Sequence, residues 1–340
     1  MTNEALLLFA MLAPFAGAVG ISLTGRWPNL RESITLGTAA VVMITVFALF
    51  GRFQSGERIA VKLIEPLPGL PILFEIEALG MLFALVAGIL WLVTSIYAIG
   101  YMRGHNEQNQ TRFYVMFAVS IGSTLAIAFA GNLFTLFLGY EILTVSTYPL
   151  VAHAGTPAAR RGARTYLGIL LGTSIGLQLL AILITYALTG TLDFREGGIL
   201  SGQVNPMWAG LLYALYVFGI GKAALMPFHR WLPAAMVAPT PVSALLHAVA
   251  VVKAGVFTVL KVTIYVFGAD FLKATGVTDW LIWFAAATIL LASLIAMTKD
   301  NLKARLAYST VSQLSYIILG AMLLNPAGMT GSALHIVMHA

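Results

Sequence analysis

Ten mostly apolar stretches, each about 20 residues long, follow one another along the chain. Short segments rich in polar residues, glycine and proline separate them, and they cover approximately 5–24, 33–51, 77–101, 113–130, 133–152, 163–188, 208–226, 242–267, 279–297 and 305–324. Each has the length of a helix that crosses a bilayer. Only 9% of the residues are charged, which is typical of a polytopic membrane protein rather than a soluble domain. The sequence therefore predicts an all-α transmembrane helical bundle.

The two ends of the chain add to this prediction. The first stretch lacks a preceding basic segment and a small-residue cleavage site, so it is expected to be a permanent helix. An eleventh stretch begins near Ser332 and stops at Ala340, about a third of the length that a span needs, so it is expected to be truncated. We divide the chain into 1–76, with the first two helices and an outer loop, and 77–340, the main transmembrane domain.

Lys and Arg are distributed unequally between the two sets of loops. Eleven follow odd-numbered stretches and five follow even-numbered ones, which predicts that the first set is cytoplasmic and that the N-terminus lies outside. We expect a multi-pass protein of the cell's inner (plasma) membrane. The net charge of +6 is spread through loops and does not indicate nucleic-acid binding. The absence of cysteine excludes disulfides, thiolate catalysis and cysteine-ligated metals.

Three isolated charges stand inside apolar stretches: Glu141, Lys222 and Lys253. A charge at the membrane centre costs about 2.5–3.5 kcal/mol on insertion scales, so such residues are usually paired and functional. We expect Glu141 to pair with Lys222, directly or through water, and Lys253 to share a hydrated pocket with His247. Lys261 lies closer to a predicted helix end and is expected to snorkel to the interface. A purely structural ion pair is the alternative.

Proline interrupts the chain just after Lys222. Pro227 cannot donate a hydrogen bond to the carbonyl of Ala223, which predicts a helix broken one residue beyond the lysine. Broken helices inside membranes form ion sites in transporters. If the prolines stood alone, an ordinary kink would be the favoured interpretation.

Histidines supply further titratable groups in the apolar stretches. His247 precedes Lys253 by six residues, about 9 Å along a helix. His335 and His339 are spaced i, i+4, which places both imidazoles on one helical face. Imidazole titrates near neutral pH and suits a proton relay. A zinc site lacks a third ligand, so we predict no metal and no cofactor. Buried histidines that are merely hydrogen-bonded remain the alternative.

A repeat of small residues marks the sixth stretch. Gly168, Gly172 and Gly176 recur every four residues and therefore share one helical face. Such a stripe lets the backbones of two membrane helices approach closely. We expect close helix packing at this face.

Several long motifs carry a family resemblance. They read KAALMPFHRWLP at 222–233, APTPVSALLH at 238–247, KAG at 253–255, KDNLK at 299–303 and LAYSTVSQL at 306–314. With these motifs, the region from Glu77 to Ala340 resembles the proton-translocating, antiporter-like membrane subunits. That family occurs in respiratory complex I, Mrp-type sodium/proton antiporters, membrane-bound hydrogenases and some inorganic-carbon uptake systems.

The resemblance implies a fold of about fourteen helices with two inverted five-helix repeats, each containing a broken helix. Here the first repeat would be complete and the second truncated. In such proteins the positions of Glu141 and Lys222 form the input pair, and those of His247 and Lys253 carry the proton onward. The outlet from Lys253 would then lie in helices beyond this chain. His335 and His339 match the family's last shared helix and complete the expected relay.

The resemblance also implies the functional setting. We expect a subunit that moves protons, or exchanges H⁺ for Na⁺, with other membrane subunits as partners and lipid around it. A NADH:quinone oxidoreductase of the complex I type and an Mrp-type antiporter are the first candidates, and carbon uptake or hydrogenase is the alternative. A haem-binding subunit or a purely structural anchor of a redox enzyme is a rival of another class. Haem requires histidines at matched depth on facing helices.

Overall fold

Helices dominate the computed structural model, which describes residues 1–245 and 249–340. The long helices of the first half are α1 (Asn3–Leu23), α2 (Pro28–Gln54), α3 (Ala78–Gly104), α4 (Gln110–Ala128), α5 (Leu133–Val151) and α6 (Pro157–Thr173). A π-helical segment, Ser174–Leu179, joins α6 to α7 (Leu180–Thr189). The second half contains α8 (Pro206–Gly219), α9 (Trp231–Ala234), α10 (Thr240–Ala244), α11 (Val251–Lys261), α12 (Ala269–Thr275), α13 (Asp279–Met297), α14 (Leu302–Met322) and α15 (Pro326–Met338).

The predicted all-α membrane bundle is confirmed. In the described residues, seven helices are long and apolar enough to cross a membrane, with α6, its π segment and α7 counted as one span of 33 residues. An eighth span results if the bent pair Val251–Phe267 and Ala269–Thr275 is one. The predicted stretch 208–226 is α-helical only as far as Gly219, and the stretch 242–267 includes the end of α10, all of α11 and a second π segment, Val262–Phe267.

One loop departs from the all-α expectation. In the segment between α2 and α3, β1 (Ala60–Lys62) pairs antiparallel with β2 (Leu73–Glu75). Val61 and Phe74 face each other in this register and are buried, as alternation on a half-buried strand requires. The sheet is anchored to the bundle because the Glu75 amide donates to the carbonyl of Phe129 over 2.8 Å. This loop therefore lies against the ends of α4 and α5.

Asparagine side chains cap the first turns of α5, α14 and α15. The side chain of Asn132 accepts a hydrogen bond from the Thr135 amide at the start of α5, and Asn301 caps α14 in the same way. Asn325 caps α15, which begins at Pro326 and not near Ser332 as predicted. Ser332 donates to the Ile317 carbonyl over 2.8 Å and fixes α15 against α14.

The prediction of close helix packing at Gly168, Gly172 and Gly176 is wrong. A methyl group added at any of the three would meet no atom within 4 Å, so this face of α6 and the π segment is open. The opposite face packs inward, because Tyr166 and Thr173 are buried. Glycines that do permit close backbone contact lie elsewhere, and two of them, Gly219 and Gly255, pack at the broken helix described next.

Candidate functional site

The helix break precedes Lys222 rather than following it. α8 ends at Gly219, and Gly221–Ala223 form a single 3₁₀ turn, after which Ala224 takes a left-handed conformation with φ of 53°. The predicted position of the break, beyond the lysine at Pro227, is therefore wrong. The carbonyl of Gly221 accepts hydrogen bonds from the Ala224 amide at 3.0 Å and from Trp231 Nε1 at 2.9 Å. A carbonyl released inside a membrane needs such a partner, and Trp231 supplies it.

Lys222 is fully buried in this turn, against α5. Its Nζ donates to the carbonyl of Tyr140 at 2.8 Å and to Thr144 Oγ1 at 2.5 Å. The Lys222 amide donates to the Tyr140 hydroxyl at 3.1 Å, and the ammonium lies 3.1 Å from the centre of the same ring. Oxygen ligands and an aromatic face both stabilise a cation. The sequence predicted a charged partner for Lys222, whereas the structure surrounds it with neutral groups of α5.

Glu141 follows Tyr140 on α5 but does not touch Lys222 directly. Among the described residues no acidic side chain lies within 4.0 Å of the Lys222 ammonium, so the direct form of the predicted pair is not formed. Glu141 is nevertheless near enough for its charge to attract Lys222. Both carboxylate oxygens are buried and have no hydrogen-bond partner in the described part of the chain. A buried carboxylate of this kind requires an additional partner, and the water-bridged pair stays a prediction.

Glycines bring α11 and the π segment against the broken helix. A methyl group added at Gly255 would lie 2.3 Å from both the carbonyl carbon of Lys222 and the amide nitrogen of Ala223. One added at Gly219 would lie 2.4 Å from the Gln178 amide nitrogen. Only glycine permits backbones to approach this closely. The contact at Gly255 places α11 against the Lys222 turn, and Lys253 lies two residues earlier on the same helix.

Lys253 contacts the last helix. Its side chain is buried, and its Nζ lies 2.8 Å from His339 Nδ1. The rings of His339 and His335 are nearly parallel, with centres 6.4 Å apart, and His335 Nε2 lies 2.8 Å from Gln313 Oε1 on α14. The structure thus brings together Lys253, His339 and His335, which the sequence had placed in separate parts of the relay. His247, the predicted neighbour of Lys253, lies outside the described residues.

Lys261 forms an ion pair that the sequence did not predict. Its side chain is 1% exposed, and its Nζ lies 2.6 Å from Glu77 Oε1 and donates to the Ala130 carbonyl at 3.0 Å. The expectation that Lys261 snorkels is wrong, because helical structure continues past it to Phe267 and the side chain turns inward. The ring of Phe194 lies 4.2 Å from the ammonium. The pair adjoins a cavity of about 790 Å³ that Glu75, Arg58 and Glu196 also line.

Several polar partners of the site were missed at the level of sequence. Tyr140 and Thr144 stand one residue before and three residues after Glu141, and Gln313 stands in the polar run Ser309–Gln313 of an otherwise apolar stretch. Their polar side chains inside predicted membrane spans were the signal that could have identified them. No group of three His, Asp or Glu side chains within the described ranges is placed to hold a metal ion.

The fold and the site define a class: polytopic helical membrane proteins with lysines buried inside the bundle, one of them in a broken helix and another in contact with a histidine. Two solved assemblies contain chains with this fold. A chain of the archaeal membrane-bound sulfane sulfur reductase superposes with a TM-score of 0.84 at 22% identity, over 99% of this chain and 68% of the other. A chain of the Mrp complex from Dietzia sp. DQ12-45-1b also gives 0.84, at 21% identity, over 100% and 62%.

Sequence comparison then identifies the family. The profile described as "NADH:quinone oxidoreductase/Mrp antiporter, TM" matches residues 130–340, so the chain belongs to this family of membrane proteins. It is 30% identical to a probable K(+)/H(+) antiporter component of Rhizobium meliloti (strain 1021), over 99% of this chain and 33% of that protein. It is 29% identical to NADH-quinone oxidoreductase subunit L of Escherichia coli (strain K12), over 98% and 55%. The chain thus spans about one third to about one half of these relatives.

Proposed function

We propose that the protein translocates protons as one membrane subunit of a larger assembly, through Lys222, Lys253, His339 and His335, with Glu141 as the controlling charge. The observation that carries the proposal is the contact between Lys253 Nζ and His339 Nδ1 at 2.8 Å, made from the helix that packs at Gly255 against the turn that holds Lys222. Consecutive titratable groups at hydrogen-bond distance are what proton transfer requires. His247, whose position carries the proton onward in the family that the sequence resembles, belongs to the same proposed relay.

Electrostatics suggests how the relay is controlled. The Lys222 ammonium is held by the Tyr140 carbonyl and Thr144, which are neutral, so the charge of Glu141 is the part of its surroundings that can change. Loss of that attraction favours release of the proton, because an isolated charge in a dry site is costly. A neighbouring subunit that pairs with the buried Glu141 carboxylate would produce this loss. Coupling to a partner therefore acts at Glu141 in our proposal.

The names of the relatives indicate the ions to be tested. The Rhizobium relative is described as part of a K(+)/H(+) antiporter, and the Escherichia relative as part of a NADH-quinone oxidoreductase. We propose H⁺ as the ion carried through the buried lysines, with exchange for Na⁺ or K⁺ as a property of the assembly. Proton flux measured in vesicles under an imposed Na⁺ or K⁺ gradient separates exchange from pumping.

Replacement of Lys253 by glutamine tests the relay. We expect Lys253→Gln to lower proton flux in the reconstituted assembly by about 100-fold or more, since glutamine cannot carry the proton to His339. Lys273→Gln is the matched control because Lys273 is exposed at the end of α12. Flux is followed with a pH-sensitive dye inside the vesicles. Equal flux from Lys253→Gln and the unmodified assembly would refute the proposed relay.

The chain's orientation is part of the proposal, with the N-terminus outside. Because the chain contains no cysteine, a single cysteine reports the side of any loop. Ser55 and Gln108 are exposed, in the loops that follow the second and third long helices. A membrane-impermeant maleimide added to intact cells should label Ser55→Cys and leave Gln108→Cys unlabelled until the membrane is opened. The opposite labelling pattern would reverse the orientation.

A further inference from the structure

A polar cavity of about 580 Å³ lies where four membrane-spanning helices reach one surface. α3 ends at Gly104 and α4 begins at Gln110, whereas α5 ends at Val151 and α6 begins at Pro157. The two connecting loops line the cavity together with the adjoining turns of the helices. The cavity therefore lies at the level where the bilayer's hydrocarbon core gives way to lipid headgroups and water.

The charge of the cavity is strongly positive. Arg112, Arg160 and Arg164 line it, and Glu107 is the one acidic side chain among the described lining residues. Arg112 donates to the carbonyl of His153 at 3.2 Å, which leaves its charge without an acidic partner. Arg160 and Arg164 have no side-chain hydrogen bond or ion pair in the described part of the protein and stand i, i+4 on α6, so they share one face. Two guanidinium groups are thus available to a ligand.

His153 forms the buried wall of the cavity. Its side chain is 1% exposed, and neither ring nitrogen has a hydrogen bond of normal geometry within the described residues, the nearest acid being Glu107 Oε2 at 3.9 Å. Burial, and then the charge of Arg112, lower the pKa of His153, against the raising effects of Glu107 and the Gln108 carbonyl. The neutral ring still offers one N–H to an acceptor. An anion that enters the cavity would satisfy this buried polar group.

We propose that this cavity binds the phosphate of an anionic phospholipid headgroup. Arginine forks fit phosphate oxygens with two parallel hydrogen bonds, and basic pockets between membrane helices on the cytoplasmic side suit acidic headgroups. The loops that form the cavity are on the side that the Lys and Arg distribution assigns to the cytoplasm. The N-terminus of α6, a helix of 17 residues, adds favourable backbone dipoles. Tyr148, also in the lining, is of the residue type that favours the membrane interface. The site is independent of the proposed proton relay.

Lipid titration tests the site directly. The detergent-purified assembly is titrated with phosphatidylglycerol, and bound lipid is counted by native mass spectrometry. We expect the double variant Arg160→Gln, Arg164→Gln to raise the apparent Kd for phosphatidylglycerol by about tenfold or more, since it removes charge-assisted hydrogen bonds to the phosphate. Arg161→Gln is the matched control, because Arg161 is exposed on the same turn of α6 but does not line the cavity. Binding by this control should match that of the unmodified protein.

Two competition experiments distinguish the phosphate of an anionic lipid from free inorganic phosphate and from a zwitterionic lipid. Inorganic phosphate should not displace phosphatidylglycerol at equal concentration, and phosphatidylcholine should not compete. Equal losses in Arg161→Gln and the double variant would show general attraction to a basic surface and overturn the proposal, as would displacement by inorganic phosphate. A second measurement needs no variant: phosphatidylglycerol should raise the apparent Tm of the unmodified assembly more than phosphatidylcholine does. Equal Tm shifts would likewise overturn the site.

Discussion

Lys222→Ala should abolish ion movement by the complete assembly while the assembly itself still forms. We expect proton flux to fall by at least about 100-fold, because the ammonium held by the Tyr140 carbonyl and Thr144 is the first proton carrier of the proposed relay. The fold should persist, because removal of a buried charge whose direct ligands are neutral leaves no paired charge behind in contact with it. Flux in vesicles and subunit stoichiometry on native gels measure the two effects separately.

Two companion variants make this experiment decisive. Lys222→Met keeps the volume of the side chain and should lose flux to the same extent, which separates proton transfer from cavity formation. Lys273→Ala, at an exposed lysine, should leave flux unchanged. The structural-anchor alternative makes the opposite prediction: the combined change Glu141→Gln, Lys222→Met would then preserve coupling. Normal flux from a well-assembled Lys222→Ala complex would remove Lys222 from the mechanism.

Gly255→Val should disrupt the packing around the broken helix. A side chain at this position would begin 2.3 Å from backbone atoms of Lys222 and Ala223, and backbone cannot move aside as a flexible side chain can. We expect a destabilisation of about 3 kcal/mol or more, at the upper end of what overpacked cores show. The measurable result is a lower apparent Tm and poor recovery of monodisperse protein by size-exclusion chromatography.

Gly172→Val is the matched control on another helix. Gly172 is exposed on α6 and an added Cβ there meets nothing within 4 Å, so the substitution should leave the apparent Tm nearly unchanged. The comparison holds residue type and substitution constant and varies the burial and the space available. An equal drop in Tm for both variants would show that the contact at Gly255 does not decide stability.

The sequence was sufficient to predict the long helices, because these depend on the length of each apolar stretch. Apolar stretches of bilayer thickness predicted the long helices α1 to α6, α13 and α14, and the isolated charges identified Lys222, Lys253 and Glu141 as residues inside the bundle. The spacing of His335 and His339 predicted their common face, and their rings indeed lie nearly parallel. These features depend on local periodicity, which a single chain displays directly.

Features that depend on tertiary contact were not available from the sequence. Glu141 and Tyr140 are neighbours on α5, and which of them meets Lys222 depends on how α8 turns at Ile220, whose conformation no local pattern specifies. The ion pair of Lys261 could not be predicted, because its partner, Glu77, lies 184 residues earlier in the chain. The glycine stripe on α6 was interpreted as a contact, although composition does not state which face of a helix meets a neighbour. In each case the deciding interaction joins distant segments.

The π-helical segment between α6 and α7 sets the rotational phase of the whole span. Thr173 precedes it and lies against Gly221, whereas Thr185 follows it and hydrogen-bonds the hydroxyl of Tyr216 at 2.8 Å. Twelve residues separate the two threonines, which in a regular α-helix would point them about 120° apart. The extra residue accommodated by a π turn reduces that difference to about 20°, so both can face the same broken helix. Deleting one residue from 174–179 would leave a separation of eleven residues, which a regular α-helix also places about 20° apart, so the span could lose its π turn and keep both threonines on the same side.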